Sequence, residues 1–445
     1  MSITSVPESQ STQRCRAVCW PLLSVLLLTA PSLAMAHGAN PQVTAILFPA
    51  PLGGEPLLVT DNQGAFGFFG AEPRWLCDDA VAPSAAFVTM VATATPGGWT
   101  VVSDSGVHVS SDDACSFERS AGLPTDVVPG ALSAHPRRPD DLVMVAGVIA
   151  ENPSFGVYRS QDGGRTFDAA QLVVDSPWTS LVRDPEAGEV LYLSGNAGAF
   201  RSDDAGGTWT PLTVSLADHD EIPVATVHLL AVRPGAGEIW AQIKQFPSPL
   251  LIRSTDQGQA WELIATLIEP LDRLVFDATG ARALASSIFG SLVRSDAPET
   301  TWETGPSPAA GFGCLTRGPD PEQDTLFACA YPYLGAPWIA GRSDDFGRTW
   351  QPILPALQTV TDRWACEPEA HATQACADMC PGLSVAECDA ANRPMEDAGM
   401  DVPDVGTDDV AVAPDVPTAP RKDSSSCQMT AHSARSMAML WPRRR

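Results

Sequence analysis

A nine-residue pattern that recurs at intervals of roughly 40–50 residues constrains this chain more than any other feature. Its clearest copy is Arg342–Trp350, and three further full copies begin at Arg159, Arg201 and Arg253. Each full copy follows a short run of β-favouring residues, which indicates a strand that ends there. The chain is therefore predicted to repeat one β-unit many times.

The residue types within the pattern predict a tight turn, which we call the repeat turn. An Asp carboxylate can accept hydrogen bonds from the backbone N–H groups that follow it. A Gly permits positive φ without steric cost, and a Thr-Trp or Thr-Phe pair restarts an extended segment and buries a ring. The residues given these structural roles are Ser160, Asp162, Gly164, Thr166, Phe167, Ser202, Asp204, Gly206, Thr208, Trp209, Ser254, Asp256, Gly258, Trp261, Ser343, Asp345, Gly347, Thr349 and Trp350.

Two degenerate copies complete the series. One is Ser110–Phe117, and the other is Arg294–Trp302, where Ala297 replaces the Asp. With a first unit that has no copy, residues 37–358 divide into seven units of four short apolar runs each. Four-stranded units of this length are typical of β-propeller blades. We therefore predict an all-β, seven-bladed β-propeller, with six or eight blades as alternatives because the first and sixth units are weakest.

The pattern Ser-x-Asp-x-Gly-x-Thr-Trp resembles the Asp-box, or bacterial neuraminidase repeat, of the sialidase-like and sortilin-like superfamily. The resemblance covers most of residues 100–352 and implies a turn at the rim of a propeller, outside any active site. Proteins with such propellers include sialidases, glucan-cleaving glycoside hydrolases, sortilin-type receptors and photosystem assembly factors. The resemblance thus predicts architecture and leaves the ligand open.

A sialidase would need three arginines, a Tyr–Glu pair as the nucleophile and an Asp as the catalytic acid. The family also carries an Arg-Ile-Pro motif early in the chain. This chain has no Arg-Ile-Pro. Four arginines follow or lie on predicted first strands, and their repeated position favours a turn role over convergence on one face. They are Arg183, Arg233, Arg273 and Arg317.

A glycosidase needs two facing carboxylates. The available acids are Asp184, Asp272, Asp277 and the loop Asp218–Glu221, which is interpreted as a solvated connection in preference to a cation site. No pairing among them is evident, so catalytic residues are unassigned. The chain is expected to be a non-enzymatic binding or scaffold module with a protein or glycan ligand and no cofactor or metal. A sialidase-like or glucan-cleaving glycoside hydrolase is the alternative.

The ends of the chain predict export. Residues 1–36 resemble a signal peptide with Arg14 and Arg16 before an apolar run and a cleavage site at Ala34–Ala36; an uncleaved anchor is the alternative. A formal net charge of −26 argues against nucleic acid as a partner. The expected location is secreted or on the outer surface of a bacterial cell.

The cysteines predict disulfides, because exported thiols usually oxidise. Cys77 with Cys115 is one expected bridge, and Cys314 with Cys329, on paired strands, is another. Residues 359–390 form a small disulfide-stapled segment whose four cysteines allow three connectivities. Those four are Cys366, Cys376, Cys380 and Cys388. A metal site is the weaker interpretation of the four.

The C-terminal region changes in composition. Residues 391–426 are rich in Pro and Asp and are predicted to be a disordered acidic spacer. Residues 427–445 resemble a myxobacterial-type sorting tail, with Cys427, the apolar run Met437–Trp441 and a final arginine cluster. That run is too short to span a bilayer, so no transmembrane span is expected in the mature chain. Surface attachment through this tail and a frayed, fully secreted tail are the two alternatives.

Overall fold

The computed structural model describes residues 42–380, except for 50–51, 61–62, 71, 84, 149–152, 217–226, 245–247, 288, 305–310, 321, 332–335 and 378. The predicted signal peptide, acidic spacer and sorting tail, the loop Asp218–Glu221 and Cys388 all lie outside the described residues. Within the described part, no helix is long and apolar enough to cross a membrane.

The described strands form seven sheets, here called blades 1 to 7, and each contains four strands that are consecutive in the chain. Blades 1 to 3 are formed by β1 (Val43–Leu47), β2 (Leu57–Thr60), β3 (Ala65–Phe69), β4 (Glu72–Leu76), β5 (Phe87–Ala92), β6 (Trp99–Ser103), β7 (Gly106–Ser110), β8 (Glu118–Arg119), β9 (Val127–His135), β10 (Arg138–Val148), β11 (Ser154–Ser160) and β12 (Leu172–Val174). Blades 4 to 7 are formed by β13 (Trp178–Arg183), β14 (Leu191–Gly195), β15 (Gly198–Ser202), β16 (Thr210–Leu212), β17 (Val227–Arg233), β18 (Glu238–Ile243), β19 (Leu250–Ser254), β20 (Glu262–Thr266), β21 (Leu271–Phe276), β22 (Ala283–Ser287), β23 (Leu292–Ala297), β24 (Thr301–Thr304), β25 (Phe312–Arg317), β26 (Leu326–Ala330), β27 (Ala340–Ser343) and β28 (Gln351–Leu354).

The first strands of the blades form the inner ring. Each of them lies against the first strand of the next blade, and β25 lies against β1, so the ring closes. The prediction of a seven-bladed β-propeller is therefore confirmed, and the six- and eight-bladed alternatives are wrong. We call the side that carries the first-to-second and third-to-fourth strand connections the turn face. The opposite side, which carries the second-to-third and blade-to-blade connections, is the loop face.

The core lies between neighbouring blades. Second strands such as β14, β22 and β26 are buried along their whole length, because sheets cover them on both sides. Indole rings contribute to this core: Trp240 of blade 5 packs edge-on against Phe276 and Trp302 of blade 6. Trp261 of the repeat turn is buried, and Trp209, Trp302 and Trp350 are half-buried against adjoining core clusters.

The chain beyond blade 7 wraps onto blade 1, and we call residues 355–377 the clasp. Within it β29 (Asp362–Arg363) pairs with β4 in parallel as a fifth strand. The side chain of Trp364 is buried, with its ring 5.2 Å from that of Phe69 and 5.8 Å from that of Trp99. The clasp therefore shares a core with blades 1 and 2.

Two disulfides fix the clasp to the first two blades. Cys376, just after the helix α1 (His371–Ala375), is bonded to Cys77 at the end of blade 1. Cys366 is bonded to Cys115 in the degenerate repeat turn of blade 2. Covalent links thus join the C-terminal side of the ring to its N-terminal side.

These bonds correct the predicted pairings. The expected Cys77–Cys115 bridge is wrong, because each of the two cysteines pairs with the clasp instead. Pairing of the four C-terminal cysteines only among themselves is wrong for the same reason. The Cys314–Cys329 bridge is confirmed, with the two Cα atoms 5.0 Å apart on the paired strands β25 and β26.

Candidate functional site: the open junction between the last and first blades

Each full repeat turn is closed by its Ser and Asp side chains. In blade 3, Ser160 Oγ donates to Asp162 at 2.8 Å and accepts from the Gly164 backbone nitrogen at 2.8 Å. The Asp162 carboxylate also accepts from the backbone nitrogen and hydroxyl of Thr166. Partial burial raises the pKa of Asp162, but the hydrogen bonds from Thr166 and Ser160 outweigh it, so the pKa lies below its usual value. These contacts make the turn rigid.

The same arrangement recurs in the other full copies. A serine hydroxyl donates to the Asp, and the Asp accepts from the backbone nitrogen four residues later. The Asp residues concerned are Asp204, Asp256 and Asp345. Their carboxylates are thus occupied within the turns, as expected of structural residues.

The repeat turn of each of these blades packs against the preceding blade. Gly206 has φ +90°, and a Cβ there would lie 2.9 Å from the Val143 side chain of blade 3. A Cβ on Gly347 would lie 2.6 Å from Leu284 of blade 6. The glycine therefore serves both the turn and the close approach, and the turn fills the junction between two blades.

Arginines of the preceding blade extend this contact at two junctions. Arg201 of blade 4 donates to the side chain of Gln257 in the repeat turn of blade 5. Arg253 of blade 5 lies 3.5 Å from the carboxylate of Glu299 in the degenerate turn of blade 6. At these junctions the arginine is held between two blades and is largely shielded from solvent.

The junction between blades 7 and 1 is different, because blade 1 has no repeat turn. β3 ends at Phe69 and β4 begins at Glu72, which leaves no length for one. Arg342 of blade 7, which is equivalent to Arg201 and Arg253, is paired with Asp344 of its own turn at 2.7 Å, just as Arg201 is paired with Asp203. Its side chain is 42% exposed, against 15% for Arg201 and 14% for Arg253.

A cavity of about 370 Å³ opens at this junction on the turn face. Phe68 of blade 1 and Phe327 of blade 7 line it and are themselves buried, so they form an aromatic floor. The Arg342 guanidinium lies 5.9 Å from the centre of the Phe327 ring. The remaining lining residues are Gly54, Glu55, Pro56, Gly70, Gly318, Pro319, Asp320, Gln323, Thr325 and Ile353. The cavity thus combines an aromatic base with a polar rim.

A second polar group lies on the loop face at blades 5 and 6. The buried Gln242 side chain bonds to both the backbone nitrogen and the carbonyl of Leu271, joining the two blades. His228 is paired with Gln242 across the β17–β18 ladder and so shares its face. Burial, together with the positive charges of Lys244 and Arg273, lowers the pKa of His228 to about 4. The imidazole of His228 is therefore neutral at pH 7.

The arginines considered for a sialidase-like site do not converge. Arg183 donates to the Ser133 carbonyl of blade 3, and Arg233 donates to the Gly280 carbonyl of blade 6, so both join neighbouring blades. They end their first strands at the turn face, as does Arg317. Arg273 stands near the start of β21, at the opposite end of the strand. Convergence of all four on one face is therefore wrong, and the turn role fits Arg183 and Arg233.

Two of the candidate acids also have local roles. Asp184 accepts from the backbone nitrogens of two residues in the turn after β13. Asp277 accepts from the Arg282 guanidinium at 2.9 Å and from a backbone nitrogen at 2.8 Å. Asp272 lies 3.7 Å from its neighbour Arg273. Among the described residues, no three His, Cys, Asp or Glu side chains are grouped so as to hold a metal ion.

Sequence reasoning did not find the junction cavity. The only sign of the cavity in the sequence was the missing repeat turn of the first unit. That absence was interpreted as uncertainty in the number of blades and not as a gap between two of them. Recognising that gap requires knowing that each repeat turn covers the blade before it, which is a tertiary relationship.

Comparison with solved structures identifies propellers. The glycoside hydrolase family 74 xyloglucanase from Xanthomonas campestris is 16% identical over 71% of this chain and 54% of its own, with a TM-score of 0.52. YCF48 bound to D1 peptide is 18% identical over 61% of this chain and 83% of its own, with a TM-score of 0.43. PorZ, a surface component of the type-IX secretion system of Porphyromonas gingivalis, is 12% identical over 71% of this chain and 38% of its own, with a TM-score of 0.47.

The similarity to the xyloglucanase shows the β-propeller fold alone. No family model matches the chain, and no curated protein matches it either. The chain spans about half the length of the xyloglucanase. Its relation to the sialidase-like superfamily therefore stays a prediction.

Proposed function

We propose that this protein is an exported, non-enzymatic binding propeller that holds its ligand in the cavity between blades 7 and 1. The observation that carries the proposal is the absence of a repeat turn in blade 1, which leaves a cavity of about 370 Å³ beside the exposed Arg342. A concave site with an aromatic base and a few convergent polar groups is the usual form of a small-ligand site.

The distribution of acids supports binding over hydrolysis. Asp184 and Asp277, which were candidates for acid–base chemistry, serve as acceptors in turns. In the cavity itself, Asp320 accepts from the Glu322 backbone nitrogen and from the Gln323 side chain. Glu55 is the remaining acid of the lining. A hydrolase would require a second free carboxylate facing it across the ligand.

The disulfides support export. The three bridges among the described residues suit an oxidising compartment outside the cytoplasm. We propose retention at the cell surface through residues 427–445. Fractionation of cells that carry the full chain, or a chain truncated after Pro420, tests this: retention of only the full chain is expected, and equal release of both contradicts it.

The binding function is tested with the purified mature chain on arrays of glycans and peptides, together with assays of sialoside and β-glucan hydrolysis. Binding without turnover is expected, and Arg342→Met should weaken it by about ten-fold or more. Arg348→Met is the matched control, because Arg348 belongs to the same turn, is 54% exposed and does not line the cavity. Turnover that Glu55→Gln abolishes would establish a glycoside hydrolase instead.

A further inference from the structure

We infer that the ligand of the junction cavity is a saccharide, bound through one neutral sugar ring beside the Arg342 guanidinium. This inference rests on the proposed binding function and adds the chemical class of the ligand to it. Four properties of the cavity support it: its floor, the hydrogen-bonding character of its rim, the charges of its rim, and the backbone that forms its mouth.

The floor provides a small, fixed apolar surface, because Phe68 and Phe327 are only 6% and 7% exposed. Phe327 is fixed from below by Phe48, whose ring centre lies 4.8 Å away in an edge-on arrangement. Phe68 reaches the same cavity from blade 1. A sugar ring presents C–H groups on its faces and hydroxyls around its edge, so it can cover a fixed aromatic floor while its polar groups point to the rim.

The rim offers both donors and acceptors. The Nε atom of Arg342 donates to Asp344, and no acceptor among the described residues bonds to its two terminal nitrogens. A guanidinium can only donate, an ionised carboxylate such as that of Glu55 can only accept, and the amide of Gln323 does both. Hydroxyl groups also donate and accept, so a polyol can satisfy all three side chains at once.

The charges of the rim argue against an ionic ligand. An anionic group attracted by Arg342 would also face Glu55 and Asp320, which are both exposed acids of the lining. A cationic group attracted by those acids would face Arg342. Because like charges in one site lower affinity, a neutral ligand with many hydroxyls matches this arrangement better than an acidic or basic peptide.

The mouth of the cavity is kept open by glycine. A Cβ on Gly70 would meet no atom within 4 Å, and a Cβ on Gly54 would meet only the Pro319 side chain at 3.7 Å. Both glycines have positive φ, +71° and +91°, which larger residues rarely adopt. The backbone of blade 1 thus leaves free volume above the floor where a repeat turn would otherwise lie.

The test uses the full mature chain and four probes: cellotetraose, maltotetraose and chitotetraose as neutral oligosaccharides, and tetragalacturonate as an acidic one. Isothermal titration is expected to show that at least one neutral probe binds and that tetragalacturonate does not. Arg342→Met should weaken neutral binding about ten-fold or more, and Glu55→Gln should weaken it less. Arg348→Met should leave it within about two-fold, because Arg348 lies outside the cavity.

The outcomes separate this inference from the proposed function. Binding of peptides alone, lost in Arg342→Met, overturns the saccharide and keeps the binding module. Binding of tetragalacturonate alone, lost in the same variant, overturns the neutral character of the ligand and keeps the binding module. Absence of binding by all three neutral probes, or binding that Arg342→Met leaves unchanged, overturns the saccharide site. Hydrolysis of a bound probe overturns the non-enzymatic function. Circular dichroism of each variant confirms that the propeller is folded.

Discussion

Thr166 donates two hydrogen bonds to Asp162, one from its backbone nitrogen at 2.9 Å and one from its hydroxyl at 2.6 Å. Asp162→Ala removes both acceptors and the bond from Ser160, so we expect the free energy of unfolding to fall by about 1–3 kcal/mol. Urea denaturation measures this. Gln161→Ala, at an exposed position of the same turn, is the control and should change it by less than about 0.5 kcal/mol. Equal effects of the two changes would contradict a structural role for the carboxylate.

The second prediction separates backbone strain from packing at a repeat-turn glycine. Gly347→Ala places a Cβ 2.6 Å from Leu284 at φ +81°. The control is Gly235→Ala, which has a similar φ of +75° but places its Cβ where no atom lies within 4 Å. The control should lose about 1 kcal/mol from strain alone. Gly347→Ala should lose about 1–3 kcal/mol more because blades 6 and 7 must separate. Similar thermal unfolding midpoints for the two variants would argue against close packing of the turn.

The third prediction concerns the clasp. Replacing Cys77, Cys115, Cys366 and Cys376 by Ser removes two bridges with sequence separations of 299 and 251 residues. Loss of the Cys314–Cys329 bridge, with a separation of 15 residues, is the control. Because longer loops lose more entropy on closure, the clasp variant should unfold at the lower temperature. Loss of each bridge should lower the free energy of unfolding by about 2–5 kcal/mol. A larger effect of the control would show that the clasp does not hold the ring together.

The fourth prediction is a pH dependence of stability that originates at His228. Its pKa is lowered in the folded protein from the ordinary 6.5 to about 4. The unfolded chain therefore binds a proton that the folded protein does not bind between these values, and stability falls as the pH falls through this window. At pH 5 this amounts to up to ~2 kcal/mol relative to pH 7. His228→Gln should remove that part of the slope; unchanged pH profiles would disprove the assignment.

Much of the architecture was predictable because its determinants are local. In the first unit the apolar run Val43–Phe48 corresponds to β1, Val43–Leu47, and the run Ala65–Phe69 is β3. The turn residues set where the strands before them end, and the number of four-strand units set the number of blades. The Cys314–Cys329 bridge was also predictable, since it links adjacent strands of one hairpin.

The remaining features depend on contacts between distant parts of the chain. Cys77 and Cys376 become neighbours only after the ring has closed. The similar places of Cys77 and Cys115 in consecutive units therefore favoured the wrong partner for Cys77. The exposure of Arg342 likewise follows from what blade 1 lacks, and nothing next to Arg342 in the sequence signals it. Local residue patterns specify a blade, whereas the junctions between blades are tertiary.

The clasp also determines how the propeller bears mechanical load. A force that pulls on the chain beyond Cys376 passes through a sulfur–sulfur bond into Cys77 and through a second one, from Cys366, into Cys115. Blade 7 is the terminal blade in sequence, yet it lies outside this path and is spared from being peeled strand by strand. In a protein held by its C-terminal end in flowing liquid, the load would therefore enter the ring through covalent bonds at blades 1 and 2 instead of through the hydrogen bonds of β28.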